Sequence, residues 1–182
     1  IDYTDYLQKG IDNHSVVLLP NFPLAVNSNG IKLKSNSKVI FQTNTLLKLL
    51  PNNKNTYHIL LIDGVNNIDI YNANIEGDRD QHLDKQGEWG MGIWIKHSEN
   101  INLYSPKVTN CWGDGIYIGN QKNITSKNIF INNALVDNNR RNGISIISGE
   151  NITIKNTIVS NTNGTEPEAG VDIEPNTNND DV

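Results

Sequence analysis

A short apolar motif recurs along this chain, and its regular spacing constrains the fold more than any other feature of the sequence. One form reads Gly-x-Ile-x-Ile or a close variant, and it occurs at residues 92–95, 115–118, 143–146 and 170–173. A second form reads Asn-Ile-x-Ile or close to it, and it occurs at residues 67–70, 100–103, 128–131 and 151–154. A third, looser apolar cluster follows each Asn-Ile copy, at Ala73 and Ile75, Val108, Ala134 and Val136, and Ile158 and Val159. The repeat is roughly 23 to 28 residues long, a length typical of solenoid coils.

The alternation within each motif predicts which side chains enter the core. Successive side chains of a β-strand point to opposite faces, so the Ile residues face inward and the residues between them face outward. Three strands per coil, each paired with its copy one coil away, would form three parallel sheets around one core. We therefore predict an all-β solenoid, a three-sheet parallel β-helix.

Asparagine occupies the turns between these strands, and 31 of the 182 residues are asparagine. Asn tolerates the left-handed backbone conformation that sharp turns need, and stacked Asn side chains can hydrogen-bond from coil to coil. A polar composition of this kind can also indicate disorder, but the regular Ile and Val clusters argue against it. The turns and the strands therefore predict the same fold.

The N-terminal residues predict a cover for the first coil. Thr4 is the expected N-cap of a short helix over residues 5–11, and residues 16–20 are the expected first strand. Such a helix would shield the end of the core, where unpaired strand edges would otherwise be exposed.

The length suits one domain. We divide it into an N-terminal cap and first coil (residues 1–30), further coils (31–176) and an irregular end (177–182). Because the last predicted strand has no cover of its own, we expect the chain to be a fragment of a longer solenoid, or to be capped by another chain.

Charge and composition argue against several classes of partner. The net charge of −5 argues against nucleic acid, whose binding needs a basic face. No stretch reaches the roughly 18 apolar residues that a membrane span requires. Cys111 is the single cysteine, so no intrachain disulfide can form, and we expect a buried structural thiol.

Several segments resemble a known family. Residues 7–20 are similar to the opening coil, and residues 113–119, 141–146 and 168–176 to strands, of the pectate-lyase-like right-handed parallel β-helix repeat proteins. The resemblance implies a single-stranded right-handed β-helix with a short N-terminal capping helix. The family includes phage tailspike depolymerases and bacterial polysaccharide lyases, hydrolases and epimerases.

That resemblance also implies a biological setting. It implies a polysaccharide substrate, neutral or acidic, and a location outside the cell, at the cell surface or on a virion. Tailspike-like relatives are trimers, so it further implies a homotrimer. One fold hosts many chemistries, so the activity must be argued from the site.

One face of the predicted solenoid carries the residues suited to such chemistry. The outward positions of the Gly-x-Ile-x-Ile column are Trp94, Tyr117, Ser145 and Asp172, then Lys96 and Glu174, and the preceding turns carry Glu88, Trp112, Asp114, Arg140 and Arg141. Paired carboxylates suit acid–base cleavage of a glycosidic bond. We therefore predict a catalytic set of Asp114, Asp172, Glu174 and Glu88.

The same face predicts substrate-binding residues. Trp94, Trp112 and Tyr117 offer rings on which sugars can stack, and Arg140 and Arg141 can pair with the carboxylates of acidic sugars. Structural alternatives remain open. Asp114 could serve only a turn, the tryptophans could pack against a loop or a partner chain, and the arginines could pair with Glu168 or Asp137.

An insertion between residues 77 and 90 carries charges that the repeat does not need. Long insertions in a solenoid often lie on the binding face, so Asp80 and His82 join the predicted binding residues. A solvated charged loop is one alternative. Another is a calcium site formed by Asp78, Asp80 and His82. Our main prediction has no metal and no cofactor.

We predict a polysaccharide-degrading enzyme, with hydrolysis favoured. Asp114 and Asp172 lie two coils apart, roughly 10 Å by strand spacing, at the upper edge of the ~6.5–9.5 Å separation of inverting hydrolases. The alternative is a lyase or epimerase, which removes the proton beside a uronate carboxylate. It would use a cation and a base drawn from Arg140, Arg141, Tyr117, Lys96 and His82. A glycan-binding or spike segment without catalysis is the non-enzyme alternative.

Overall fold

The computed structural model describes residues 1–121 and 123–175. In these residues one helix, α1 (Thr4–Asn13), precedes eighteen strands. Successive strands belong to sheets A, B and C in turn. Sheet A consists of β1 (Val16–Leu18), β4 (Ser37–Ile40), β7 (Asn66–Tyr71), β10 (Glu99–Tyr104), β13 (Ser126–Asn132) and β16 (Gly149–Lys155). Sheet B consists of β2 (Pro23–Val26), β5 (Leu46–Leu49), β8 (Asn74–Glu76), β11 (Lys107–Thr109), β14 (Leu135–Asp137) and β17 (Ile158–Ser160). Sheet C consists of β3 (Ile31–Lys32), β6 (Thr56–Asp63), β9 (Trp89–Lys96), β12 (Ile116–Gly119), β15 (Ile144–Ile146) and β18 (Val171–Ile173).

Every strand in these sheets pairs in parallel with its copy one coil away. The three-sheet, right-handed parallel β-helix predicted from the repeat is therefore confirmed, together with its N-terminal helix. A short 3₁₀ helix, Arg79–Gln81, lies in the insertion before β9.

The inward Ile residues form continuous rows. In sheet C, Ile93 pairs with Leu60 on one side and Ile116 on the other, and Ile116 pairs with Ile144. These four side chains are 0–1% exposed. Burial of one such side chain contributes about 1.5–3 kcal/mol, so a row repeated on three sheets is the main source of stability.

Close packing explains the glycine that opens the first three Gly-x-Ile-x-Ile copies, Gly92, Gly115 and Gly143. A Cβ on Gly92 would overlap the Val108 side chain and lie 2.6 Å from the Gly115 carbonyl oxygen. At that point sheets B and C close on each other, and only a residue without a side chain fits.

A ladder of asparagines fixes one turn of the solenoid. The side-chain amide of each Asn donates to the side-chain oxygen of the Asn one coil earlier, at 2.8–3.1 Å. All of its members have φ between 54° and 59°, in the left-handed region, and they are Asn36, Asn67, Asn100, Asn128 and Asn151. Both properties predicted for the turn asparagines are confirmed here.

Helix α1 covers the first coil, with Leu7 and Ile11 buried against it. The predicted N-cap is wrong, because Thr4 is the first helical residue and Tyr3 takes the cap position. Asp2 supplies the capping oxygen instead, since its Oδ1 accepts from the backbone N–H and the hydroxyl of Thr4 at 2.9 and 2.6 Å.

Two other boundaries differ from the prediction. Strand β1 ends at Leu18, and Leu19 turns inward, 2% exposed, with its N–H bonded to the carbonyl of Ile40. The ladder spacings are 31, 33, 28 and 23 residues, so the predicted repeat of roughly 23 to 28 residues is too short for the early coils. The insertion before β9 lengthens one of them.

Cys111 lies in the core at 0% exposure, which confirms the predicted buried thiol. Burial raises the pKa of this thiol above its usual range. Among the described residues, no helix has the length and apolar character needed to cross a bilayer. The irregular end predicted for residues 177–182 falls outside the described residues.

The Asn ladder gives a stability prediction at Asn100. Asn100→Ala removes two ladder hydrogen bonds and puts a Cβ-bearing, non-polar residue at φ 58°, so we expect a loss of about 2–3 kcal/mol in the free energy of unfolding. Asn100→Gly loses the same bonds but tolerates the conformation, so it should be about 1 kcal/mol more stable than the Ala variant. Urea unfolding of both variants measures the difference. Equal stability of the two would show that the left-handed turn is not the constraint.

Candidate functional site

The outer face of sheet C carries one continuous row of side chains. The strand register pairs Trp94 with Tyr117, Tyr117 with Ser145, and Ser145 with Asp172. The predicted row therefore exists. It also extends toward the N-terminus, through Leu61 to Lys32.

Asp114 lies in the turn before β12 and is completely buried. Its Oδ2 accepts from the Ser145 hydroxyl at 2.7 Å and from the Arg141 guanidinium at 3.2 Å. Its Oδ1 accepts from the backbone N–H of Asn142 at 3.1 Å. A carboxylate enclosed in this way has no open side for a substrate in this conformation, which argues against the predicted direct catalytic role of Asp114.

Asn142 links Asp114 to Asp172. The buried Asn142 amide donates to the Ser145 hydroxyl oxygen and to Asp172 Oδ2, both at 3.0 Å, and its oxygen accepts from the N–H of Ala169. Three hydrogen bonds of about 3 Å thus connect the two carboxylates, which lie at most roughly 9 Å apart. Asp172 is half-buried, so it is the accessible end of this series of hydrogen bonds.

Arg141 and Glu88 form the border of this network. The Arg141 side chain is 14% exposed, with its Nε 3.6 Å from Glu88 Oε2 and its terminal nitrogen on Asp114. The Glu88 side chain is 36% exposed. One guanidinium therefore holds two of the four predicted catalytic carboxylates, and the predicted pairing of the arginines with Glu168 or Asp137 does not occur at Arg141.

Burial dominates the electrostatics of Asp114. It raises the pKa of this carboxyl to about 6, against the opposing effects of Arg141, Ser145 and Asn142. Near neutral pH, Asp114 therefore titrates between a neutral and a charged form.

The insertion is held by a buried polar cluster. Asp78 accepts from the Tyr57 hydroxyl at 2.5 Å and from the Asn52 amide at 2.9 Å, and it pairs with His82 Nδ1 at 2.9 Å. The Asp78 and His82 side chains are both 0% exposed. Burial raises the pKa of Tyr57 above its usual range. The enclosure of the His82 side chain argues against its predicted substrate-binding role.

Trp112 is the next layer of the same packing. Its ring stacks on His82 with centroids 4.2 Å apart, and the Arg140 guanidinium lies 3.8 Å from the ring centroid. Arg140 also donates to the carbonyl of Gly87 at 2.9 Å, which ties the insertion to the coils. Both ring faces of Trp112 are covered in this conformation, which leaves no face open for the predicted stacking on sugars. The structural alternative, packing against the loop, is correct for this residue.

Of the three ligands of the calcium alternative, Asp78 and His82 contact each other and Asp80 is not part of their cluster. Asp78 is fully engaged within the cluster, whereas Asp80 is exposed. Within the described residues, no three His, Cys, Asp or Glu side chains are grouped so that they could hold a metal ion.

Sequence reasoning missed the N-terminal part of this face. A groove of about 630 Å³ lies between α1 and sheet C, and it is lined by Lys32, Lys54, His58, Trp94 and Lys96 among others. The first coils lack the clear motif copies, so no pattern aligned Lys32 or His58 with Trp94. A signal was present in the spacing, because Lys32 and Leu61 each follow an inward apolar residue.

Comparisons with known proteins agree with the fold. The family model described as "Right handed beta helix region" matches residues 11–180. A prophage relative, the SPbeta prophage-derived uncharacterized protein YorA of Bacillus subtilis (strain 168), is 30% identical over 89 residues. That match covers 45% of this chain and 15% of the relative.

Two solved structures are similar to this one. The first is the tailspike protein gp49 of Acinetobacter baumannii bacteriophage Fri1, a capsular polysaccharide depolymerase, with a TM-score of 0.65 and 19% identity. The similarity covers 98% of this chain but 35% of the tailspike chain. The second is a Parabacteroides merdae protein with a provisional assignment as a glycosyl hydrolase, with a TM-score of 0.59 and 12% identity. It covers 96% of this chain and 89% of that one.

At these identities the structural likenesses concern the fold, whereas the family model matches nearly the whole sequence. The parallel register of three sheets and the matched residues lead to one conclusion: this chain belongs to the right-handed β-helix family.

Proposed function

We propose that this chain binds a polysaccharide along the outer face of sheet C and cleaves its glycosidic bonds. The observation that carries the proposal is the row of paired positions from Lys32 through Trp94 and Tyr117 to Asp172, bordered by Arg141. The four side chains of this row are at least partly exposed, whereas Leu61 and Ser145 in the same row are buried. Such a row runs the length of the solenoid, which suits an extended polymer better than a compact metabolite. The similarity to a tailspike that is a capsular polysaccharide depolymerase supports the same substrate class.

Hydrolysis is the favoured reaction because accessible carboxylates lie at the end of this row. Asp172 and Glu174 are two residues apart, so strand geometry puts both on the outer side with Cα atoms roughly 7 Å apart. The two carboxyl groups extend from Cα atoms at this spacing, so they can take up the ~6.5–9.5 Å separation between the acid and base of inverting hydrolases. We propose Asp172 and Glu174 as this pair. Asp114 acts as a positioning residue, since it holds Asp172 through Ser145 and Asn142.

β-Elimination is the second candidate. Arg141 could neutralise a uronate carboxylate, and Tyr117 or Lys96 could take the proton beside it. The observation that favours this reaction is the cluster of cations on sheet C, where Lys96 lies 4.5 Å from the centroid of the Trp94 ring. His82 is not a candidate base, because its side chain is enclosed by the insertion.

We further propose that the protein acts outside the cell or on a virion, as a homotrimer. The relatives named above include a phage tailspike and a prophage-derived protein, which supports a phage setting. Analytical ultracentrifugation gives the oligomeric state directly.

A product assay tests the proposed reaction. The protein is incubated with a panel of neutral and uronate-containing polysaccharides, and reducing ends and the ultraviolet absorbance of unsaturated uronates are followed together. Reducing ends without new absorbance are expected, because hydrolysis leaves no double bond. Both signals together would favour the lyase. Binding without either product would leave a glycan-binding module and refute the enzyme.

Asp172→Asn tests the accessible carboxylate. The variant keeps the shape of the side chain but cannot transfer the proton, so we expect kcat to fall roughly 10²- to 10⁴-fold with little change in melting temperature. Glu76→Gln is the matched control, since Glu76 lies on sheet B in an ion pair with Lys48. Unchanged turnover in the Asp172 variant would remove Asp172 from the reaction.

Asp114→Asn tests the buried carboxyl through stability. The native pKa of about 6 lies above the unfolded value of about 3.9, so the folded protein binds the proton more tightly between these values. Wild-type stability from this group is therefore greatest below pH 4 and declines as pH rises to about 6, by about 3 kcal/mol in total. The Asn variant lacks this decline. The difference between the two unfolding free energies, measured by urea unfolding from pH 4 to pH 7, should change by that amount. A constant difference would contradict the raised pKa.

A further inference from the structure

The groove beside α1 has the size of a ligand site. Its volume of about 630 Å³ lies within the range of ~300–1,000 Å³ typical of small-molecule pockets. Its walls are the first turns of α1, the loop before β3, and the outer sides of β3, β6 and β9. It therefore continues the row of sheet C at the end opposite to Asp172.

The charge of this groove is positive. Lys32, Lys54 and Lys96 line it, and Asp5 is the one carboxylate among the lining residues. The exposed Lys32 and Lys54 ammonium groups have no ion-pair partner among the described residues. Lys96 lies 3.5 Å from Asp63, longer than the ~2.7–2.9 Å of a strong charge-assisted bond. The ammonium groups of Lys32 and Lys54 are thus available to an anion, and Lys96, paired with Asp63, adds to the positive potential of the groove.

His58 reports the potential inside the groove. Burial is the main cause that lowers the pKa of this imidazole to about 4, and the neighbouring charges of Lys32 and Lys96 contribute to the same shift. Its Nε2 is buried and has no hydrogen-bond partner among the described residues. A neutral imidazole in a cationic groove is a group that a bound anion would stabilise in its protonated form.

Trp94 supplies the apolar surface of the same groove. The half-buried indole meets His58 and Tyr117 edge-on, with centroids 6.2 and 5.8 Å away. An indole beside an ammonium group matches the two parts of a charged sugar, which has an apolar ring face and an anionic substituent.

The geometry points to this groove as the subsite for a negatively charged sugar unit, carboxylated or sulfated, of the polysaccharide. Lys32 and Lys54 bind the anionic group, Lys96 adds positive charge beside them, and Trp94 packs against the sugar ring. This inference rests on the proposed function, because it adds one subsite to the same face of sheet C and specifies that the polysaccharide is negatively charged.

Binding measurements on the intact chain test the subsite. The probes are oligosaccharides of galacturonate and of glucuronate, a sulfated glycosaminoglycan oligosaccharide, and neutral oligosaccharides of equal length, each measured by calorimetry at low and high salt. We expect an acidic probe to bind roughly ten-fold or more tightly than the neutral ones, and to weaken as salt rises. The carboxylated and sulfated probes distinguish the two kinds of anion. Equal binding of acidic and neutral probes, or binding of none of the acidic ones, would overturn the inference.

The lysines are tested by a matched pair of double variants. Lys32→Ala/Lys54→Ala should weaken acidic binding roughly ten-fold or more and weaken neutral binding much less. Lys38→Ala/Lys155→Ala makes the same charge change on sheet A, where both side chains lie over aromatic rings, and should have no effect. An equal loss in both double variants would mean a general charge effect and would refute the subsite.

His58 gives a readout that is independent of activity. Its imidazole signals in an NMR pH titration should show a pKa that moves up toward the ordinary value when an acidic probe binds. An unmoved pKa with a saturating acidic probe would place the anion elsewhere. Cleavage of neutral chains alone would leave the proposed reaction standing and the subsite refuted. Acidic binding at the groove without cleavage of any polysaccharide would support the subsite and refute the proposed reaction.

Discussion

Each coil hydrogen-bonds in register to the coil before it, and this pairing determines where every other side chain lies. Equivalent positions stack about 4.8 Å apart, so a residue's face follows from its place in the coil. The same constraint that buries Ile93 against Ile116 sets Trp94 beside Tyr117 on the outside. It also brings each turn Asn onto the next one, where a left-handed backbone and a side-chain hydrogen bond are satisfied together.

The insertion before β9 is a long loop that buried contacts fix to the coils of the solenoid. A buried Asp78 would cost several kcal/mol if its carboxylate had no partners. Tyr57 and His82 supply those partners, and the aromatic rings continue the packing through Trp112 to Arg140. The charged insertion therefore has an aromatic and ionic interior, and residues that look like ligands in the sequence hold the loop in place.

The Asp114 network separates a carboxylate that supports the site from one that can reach a substrate. Asp114 is enclosed, and its contacts with Ser145 and Arg141 offset part of the cost of burial. Asn142 donates a hydrogen bond to Asp172, which is half exposed, and so connects it to the buried network. The proposed site would therefore be pre-organised, because contacts within the fold hold Asp172 in place.

The sequence by itself determined the architecture, the outward row and the turn chemistry. Two periods are visible in the positions of Ile, Gly and Asn: the two-residue alternation within each strand and the repeat from one coil to the next. The sequence predicted that Trp94, Tyr117 and Asp172 share a face, and they do. Only the tertiary structure decided which residues on that face stay accessible. Whether Trp112 is free or covered depends on how the insertion folds back, and the groove depends on how α1 lies across sheet C. Those are contacts between segments distant in sequence, which no local repeat encodes.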